Sequence, residues 1–342
     1  MASTLYPWQS DAWLQLQTLR HRLPHAILFY GQSGIGKAGF TEAFAQSLLC
    51  EAPSPDGQAC GTCLSCGWFS HYAHPDYRRV RPEIFDEDDA GDTDEADARK
   101  SAKATKAPSK DIRIEQVRAL ADFMNISTHR QGKRVVLLYP AEALNSASAN
   151  ALLKTLEEPP PDTVFLMVSH NIERLLPTIL SRCRQIAMPM PTTEQSLAWL
   201  KTQQLDAADV WLAEQGGAPL AALALAQTGS REVQDELLAV LMRPSVEGAL
   251  KAAERLQKAV VPELVLGMQR WLHDLCSCQL AGKIRYYPNK QKELAALAGK
   301  LSPSQLMAAI KNAEGRHAIA EHPLSTRLFI EDMLLEYSAL FS

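Results

Sequence analysis

The chain has 342 residues, a hydrophobic fraction of 46%, a charged fraction of 22% and a formal net charge of −4. At roughly 100–200 residues per domain this length predicts two or three domains, each with a real core, and the charge excludes a protein that coats nucleic acid by bulk attraction, so any DNA contact is local. No run of about 18 uninterrupted apolar residues occurs, and the start MASTLYPWQSDAW lacks the basic-then-apolar form of a secretory signal, so a cytoplasmic protein without a membrane span is predicted.

In chain order, the first stretch alternates strand and helix signals. His25 to Tyr30 (HAILFY) is an apolar run of strand length, a glycine loop follows, and Lys37 to Leu49 has helical spacing through Phe40, Ala43, Phe44 and Leu48. A second helical pattern runs from about Ile114 to Ile126, with Val117, Leu120, Ala121 and Met124 on one side. Two further apolar strands, Val135 to Tyr139 (VVLLY) and Val164 to Ser169 (VFLMVS), flank the helix-like Ala149 to Glu158. Strands alternating with helices predict an α/β domain built on a parallel sheet.

Between these elements lies Asp86 to Lys110, acidic in its first half (DEDDAGDTDEAD) and basic and alanine-rich in its second (ARKSAKATKAPSK). With almost no large apolar residue it cannot offset its ordering entropy, and it reads as a disordered surface insertion; a DNA-touching basic tail is the sharper alternative. After about Met190 the strand signals cease, and Pro189, Pro191 and a cap-like Thr192 or Thr193 mark a boundary. The remainder reads as helical: Gln195 to Thr202, Ala207 to Glu214, Leu220 to Gln227, then longer segments, one of them started by Ser302-Pro303.

Three constellations carry chemistry. The loop GQSGIGKAGF completes the phosphate-binding spacing from Gly31 through Gly34 and Gly36 to Lys37. Backbone N–H groups in such a turn bind phosphate oxygens, and Lys37 belongs at the β and γ phosphates. Hydrolysis also needs Mg²⁺, held by a Ser or Thr after the lysine and by an acidic residue ending a neighbouring strand. Ala38 stands at the first position. At the end of VVLLY, where the acid belongs, the chain has Tyr139-Pro140-Ala141 and reaches an acid only at Glu142, an offset wrong by two. No useful ATP hydrolysis by this chain is therefore expected.

The second constellation uses four of the seven cysteines: Cys50, Cys60, Cys63 and Cys66 form C-x9-C-x2-C-x2-C. Four thiolates at this spacing complete the tetrahedron of a closed structural zinc site; an iron–sulfur run would end in a Cys-Pro that is absent. His71 and His74 are nearby spare ligands that read better as ordinary histidines. The third is TILSRC, Thr178 to Cys183, whose Arg182, if placed at a subunit edge, can reach a neighbour's γ-phosphate.

Together HAILFYGQSGIGK, the four cysteines, ANALLKTLEEPP (Ala149 to Pro160) and ILSRC (Ile179 to Cys183) resemble the bacterial DNA polymerase III clamp-loader family of the AAA+ class. The missing metal ligands and the amino-terminal YPW (Tyr6 to Trp8) resemble its non-hydrolysing members rather than the ATP-hydrolysing gamma/tau subunit. HPLSTRLFIEDMLLEY (His322 to Tyr337) is similar to the family's carboxyl-terminal helix. The resemblance implies an AAA+ domain over residues 1–188 with helices on both faces of its sheet, a small helical lid over 189–230 and an all-α collar over 231–342. It implies a rigid stator that is not an enzyme by itself, within the polymerase III holoenzyme. Such a stator helps load the beta sliding clamp onto primed DNA and presents Arg182 to ATP in the neighbouring subunit.

The implied partners are gamma/tau and delta subunits in a ring, with transient contact to the clamp and primer-template DNA and none to a membrane. The implied cofactor is structural zinc on Cys50, Cys60, Cys63 and Cys66. Active members also carry a lid arginine that senses the γ-phosphate; Gly217-Ala218-Pro219-Leu220 has none. Because Gly31, Gly34, Gly36 and Lys37 are kept, ATP or ADP binding without turnover stays open beside an empty loop. A self-sufficient ATPase and a zinc-dependent DNA-binding regulator are the rival readings.

Overall fold

The structure, a computed structural model, describes residues 5–85, 108–125, 128–129, 132–227, 231–320 and 325–341. Most of the charged 86–110 insertion lies outside the described residues. The chain divides into two compact units, Met1–Met190 and Pro191–Ser342.

The first unit is built on five strands: β1 (Ala26–Tyr30), β2 (Tyr77–Val80), β3 (Arg134–Leu138), β4 (Thr163–Ser169) and β5 (Arg184–Ala187). They pair in the order β2-β3-β4-β1-β5. Every pairing is parallel, with Ala26 opposite Phe165 and Leu138 opposite Met167 fixing the register at the centre. A parallel sheet needs both faces covered, and successive side chains divide between the faces with period two. Ala26 and Leu28, Val136 and Leu138, and Phe165 and Met167 join one core with α4 (Ile114–Asn125), α5 (Ser146–Glu157) and the short α6 (Pro177–Leu180). On the other face Ile27 and Phe29 lie under α1 (Ser10–Leu19) and α2 (Lys37–Leu49), where Phe40 meets both Phe29 and Trp13 edge-on at 5.6 and 5.8 Å. The α/β class with helices on both faces is therefore the one expected from the sequence. A short helix, α3 (Leu64–Ser70), follows the cysteine loop.

The second unit is all helical. Helices α7 (Thr193–Thr202), α8 (Ala208–Glu214) and α9 (Pro219–Gln227) share a small core of Leu200, Leu212 and Ala222. Thr192 caps α7 in a reciprocal box with Gln195. A larger core is formed by α10 (Arg231–Met242), α11 (Val246–Leu256), α12 (Val261–Ala281), α13 (Gln291–Ala298), α14 (Pro303–Ile319) and α15 (Thr326–Ala339). At its centre the Trp271 indole donates to the Tyr337 hydroxyl at 2.8 Å, which donates onward to the Leu241 carbonyl at 2.8 Å. Among the described residues no helix is long and apolar enough to cross a membrane.

One polar group organises the turn after α12. The Asp274 carboxylate, fully buried, accepts from the backbone N–H groups of Arg285, Tyr286 and Tyr287 at 2.9, 2.8 and 2.8 Å. Removing the acceptor leaves these donors short of a partner. Asp274→Ala is expected to lower the unfolding free energy by about 2–3 kcal/mol, and Asp274→Asn, which keeps an acceptor oxygen, by less; urea unfolding of the two variants checks the order.

Candidate functional site

The carboxyl ends of parallel strands share one edge of the sheet, which is where open α/β folds bind ligands. Here β1 runs into the glycine loop, and α2 begins at Lys37. Gly36 caps that helix at φ 86° and ψ 23°, a left-handed conformation costly for any residue with a Cβ. Gly31 needs its glycine for space, since a Cβ there would stand 2.6 Å from the Met188 carbonyl oxygen. The structure thus brings Gly31, Gly34, Gly36 and Lys37 together in one loop at the start of a helix of 13 residues.

Lys37 is almost completely buried, and its ammonium donates to the carbonyls of Gly31 and Gln32 at 2.7 and 2.5 Å. Burial pushes its pKa down to about 8, against the pull of the Glu142 carboxylate. It is therefore still mostly charged at pH 7 and can serve an anion. Ala38, the first residue after it, offers no hydroxyl.

At the end of β3, where an acid would hold a metal, the chain has Tyr139. Tyr139 extends the strand by donating its N–H to the Val80 carbonyl, and its hydroxyl accepts from Arg81. Glu142 sits in the short turn Ala141–Ala143; one carboxylate oxygen accepts the His170 N–H at 2.8 Å, and the other is buried without a partner. Its charge reaches Lys37. The sequence offset marks Glu142 as misplaced for a metal, and the structure instead makes it the anionic neighbour of the loop lysine. No spacing rule signals this contact, because it joins the ends of β3 and β4 to the loop after β1.

A second feature missed by spacing is the amino-terminal brace on the loop. The Trp8 indole donates to the Ile35 carbonyl at 3.0 Å, and the Gln9 amide donates to the carbonyls of Ile35 and Gly36 at 3.2 and 3.0 Å. Tyr6 stacks on Trp8 with ring centroids 4.9 Å apart. Its ring lies so near Gly36 that a Cβ there would stand 2.6 Å from it. The YPWQ stretch therefore fixes the outer side of the loop.

Arg182 lies on the turn between α6 and β5. Its Nη1 donates to the Thr178 carbonyl at 2.8 Å, and its Nη2 pairs with Glu157 at the end of α5 at 2.5 Å. The side chain stays 31% exposed, so it is held yet reachable. It precedes β5, whereas the phosphate loop follows β1.

The four cysteine sulfurs all lie within 4.8 Å of one another. Cys50 and Cys63 sulfurs are 3.9 Å apart, and those of Cys60 and Cys66 are 4.0 Å apart. A tetrahedron with metal–sulfur bonds of about 2.3 Å sets sulfurs about 3.8 Å apart, so the donor set fits one tetrahedral ion. Backbone N–H groups already serve the sulfurs: that of Cys60 donates to Cys50, that of Cys63 to Cys60 and that of Cys66 to Cys63, at 3.2–3.4 Å. Such donors from Thr62 and Cys63 hold the Cys60 thiol down to about 6, whereas burial raises Cys50 and Cys66. His74 is not part of the cluster; it is buried against Trp68 and accepts the Asp76 N–H at 3.0 Å.

The profile of the family described as "DNA polymerase III, delta subunit" matches residues 9–192, more than half of the chain. A Pseudomonas aeruginosa protein named DNA polymerase III subunit delta' is 42% identical over 238 residues, 68% of this chain and 65% of that protein. This chain thus spans just under two thirds of the relative's length. The Escherichia coli protein of the same name is 28% identical over 347 residues, covering 96% of this chain and 94% of that one. Among solved structures, a gamma subunit-related protein from Thermotoga maritima aligns at TM-score 0.40 and 15% identity over 96% of this chain and 99% of its own. The chain belongs to the family of DNA polymerase III delta-prime subunits.

The brace makes a measurable claim about the loop. Gly36→Ala adds both a left-handed conformation and a clash with Tyr6, and should cost about 1–3 kcal/mol of stability. Because the clash partner is a side chain, Tyr6→Ala combined with Gly36→Ala should be less destabilised than the sum of the two single changes, as read by thermal unfolding of all four proteins.

Proposed function

We propose that this chain is the non-hydrolysing stator of a clamp-loader complex, a cytoplasmic AAA+ subunit that helps load the beta sliding clamp onto primed DNA during replication. One observation carries the reading. A formed phosphate loop with a buried, charged lysine stands beside two metal-holding positions filled by Ala38 and Tyr139, which cannot hold Mg²⁺. Phosphoryl transfer depends on a metal bridging the β and γ oxygens. A loop without it can cradle ADP or ATP weakly and leave it intact. Glu142, a carboxylate whose charge reaches Lys37, has one oxygen tied to the His170 amide, which disfavours its recruitment as a substitute ligand.

Arg182 is the chain's own contribution to catalysis in this reading, as an arginine finger acting on ATP in an adjacent gamma/tau subunit. Its partial exposure on a turn anchored at both sides supports that role. Delta and gamma/tau subunits would be the ring partners, with the clamp and primer-template DNA engaged through the complex. Within the chain, residues 1–188 would form the AAA+ domain, 189–230 the lid and 231–342 the collar; the small core of Leu200, Leu212 and Ala222 supports treating the lid as a piece of its own. The residues 86–110 take no part in the reading.

The occupant of the cysteine cluster is proposed to be zinc. Four thiolates with no open position suit a structural ion, which would tie the loop after α2 to α3. Metal analysis of the purified chain is expected to find one zinc per molecule, and Cys66→Ser, which removes the most buried ligand, to reduce that content and lower the melting temperature. Metal-free protein of unchanged melting temperature would rule the site out.

The function is tested on the isolated chain and on the reconstituted complex. The isolated chain with Mg²⁺ and ATP is expected to show no turnover above background; brisk hydrolysis would instead favour the self-sufficient ATPase. In the complex, Arg182→Ala should leave assembly unchanged and reduce DNA-stimulated ATP hydrolysis, because a trans arginine supplies roughly 10³-fold or more at the site it faces. Unchanged turnover sinks the finger role.

A further inference from the structure

The contacts of Arg182 point to a second residue. We infer that Glu157 is the positioning residue for Arg182, ordering the guanidinium in advance for the anionic phosphates of a neighbouring subunit; this rests on the finger role proposed above.

Both partners stand on fixed backbone. Glu157 is the last residue of α5, whose final turn closes with the Glu158 N–H on the Lys154 carbonyl, and Pro159 and Pro160 stop the helix there. Arg182 follows α6, which Pro177 starts and whose Ile179 is in the core. The next residue, Cys183, packs against that core, with its sulfur 3.8 Å from that of Met167. The geometry of the pair is thus set by two helices and a strand.

The guanidinium has five N–H donors in a rigid fork. Nη1 is used on the Thr178 carbonyl and on the Ser181 hydroxyl at 3.3 Å, and Nη2 on Glu157. Nε and the second Nη2 hydrogen remain for a ligand. The carboxylate therefore holds the fork while leaving it Nε–H and one Nη2 hydrogen as donors.

Two roles for such a pair can be weighed by magnitude. As a restraint, Glu157 would have to outcompete a polyphosphate for the guanidinium. An exposed ion pair of this kind is worth no more than about fivefold in an equilibrium constant, and the Glu157 side chain is 49% exposed. That is too little to hold Arg182 back from several phosphate charges. As a positioner it needs only to favour one rotamer of a long side chain, and the strength of the pair sets that gain at about two- to fivefold.

The test uses the reconstituted complex with wild-type chain, Glu157→Gln, Glu157→Ala, Arg182→Ala and the Glu157→Ala/Arg182→Ala double variant, with assembly checked by size-exclusion chromatography. Steady-state DNA-stimulated ATPase is read for kcat and KM. The expected result is a fall in kcat of about two- to fivefold for Glu157→Ala with KM for ATP unchanged, since the nucleotide is bound by the neighbour's own loop. Glu157→Gln, which keeps an acceptor oxygen at the same length, should fall less. In the Arg182→Ala background the change at 157 should have no further effect.

An unchanged kcat for Glu157→Ala, or an equal fall in the Arg182→Ala background, overturns the positioning role while the effect of Arg182→Ala keeps the finger. A rise in KM that accounts for the loss also overturns it. If Arg182→Ala itself leaves turnover unchanged, the finger fails and the positioning role fails with it.

Discussion

The first unit depends on the parallel pairing of its strands. Parallel hydrogen bonding obliges every strand to end on the same edge, so the loop after β1, the turn after β3 and the turn after β4 meet although they are far apart in sequence. That is why Lys37, Glu142 and the His170 amide form one cluster. The same pairing demands helices on both faces, and the amino-terminal helix α1 covers the face on which the loop's own helix α2 lies. The YPWQ segment then passes over the loop and supplies its carbonyls with donors. A loop braced on one side and filled by its own lysine on the other keeps its shape without a ligand.

How much of this is legible in the sequence follows burial. Strands β1, β3 and β4 are central and buried on both faces, so they read as continuous apolar runs. The edge strands β2 and β5 escape notice because Arg78, Arg79, Arg184 and Gln185 interrupt the pattern where one side of the strand has no neighbour. Arg134, a charge at the head of a central strand, is tolerated because its guanidinium donates to the Met124 carbonyl and lies over the Phe123 ring. The helix of the phosphate loop, Lys37–Leu49, is read in full, since glycine on one side and a cysteine-bearing loop on the other bound it.

Site residues follow a similar rule. The cysteines are legible because their ligand atoms come from one short stretch, so spacing alone brings them together. The phosphate loop is legible for the same reason. Glu142 beside Lys37, Gln9 on Gly36 and Glu157 on Arg182 join segments 25–105 residues apart and depend on tertiary placement. Glu157 belongs to the run LKTLEEPP, but nothing in that run says which of its two glutamates faces the arginine.

The two halves of the proposed role also constrain each other physically. A subunit that hydrolyses ATP must let its phosphate loop and strand ends reorganise around Mg²⁺ and then release it. Here the carbonyls of Gly31 and Gln32 already satisfy the Lys37 ammonium, and the His170 amide already satisfies one oxygen of Glu142. The Lys37 ammonium therefore keeps its place without a ligand, while the second Glu142 oxygen stays buried without a partner. An arginine that acts on a neighbour needs the opposite of a cycling site: a backbone that does not move while the partner's chemistry proceeds. The α6 turn meets that requirement because Ile179 and Cys183 bind it to the core of the same sheet whose opposite face carries the braced loop. On the proposed role, the positions without metal ligands and the anchored turn at Arg182 belong to one sheet that does not need to rearrange.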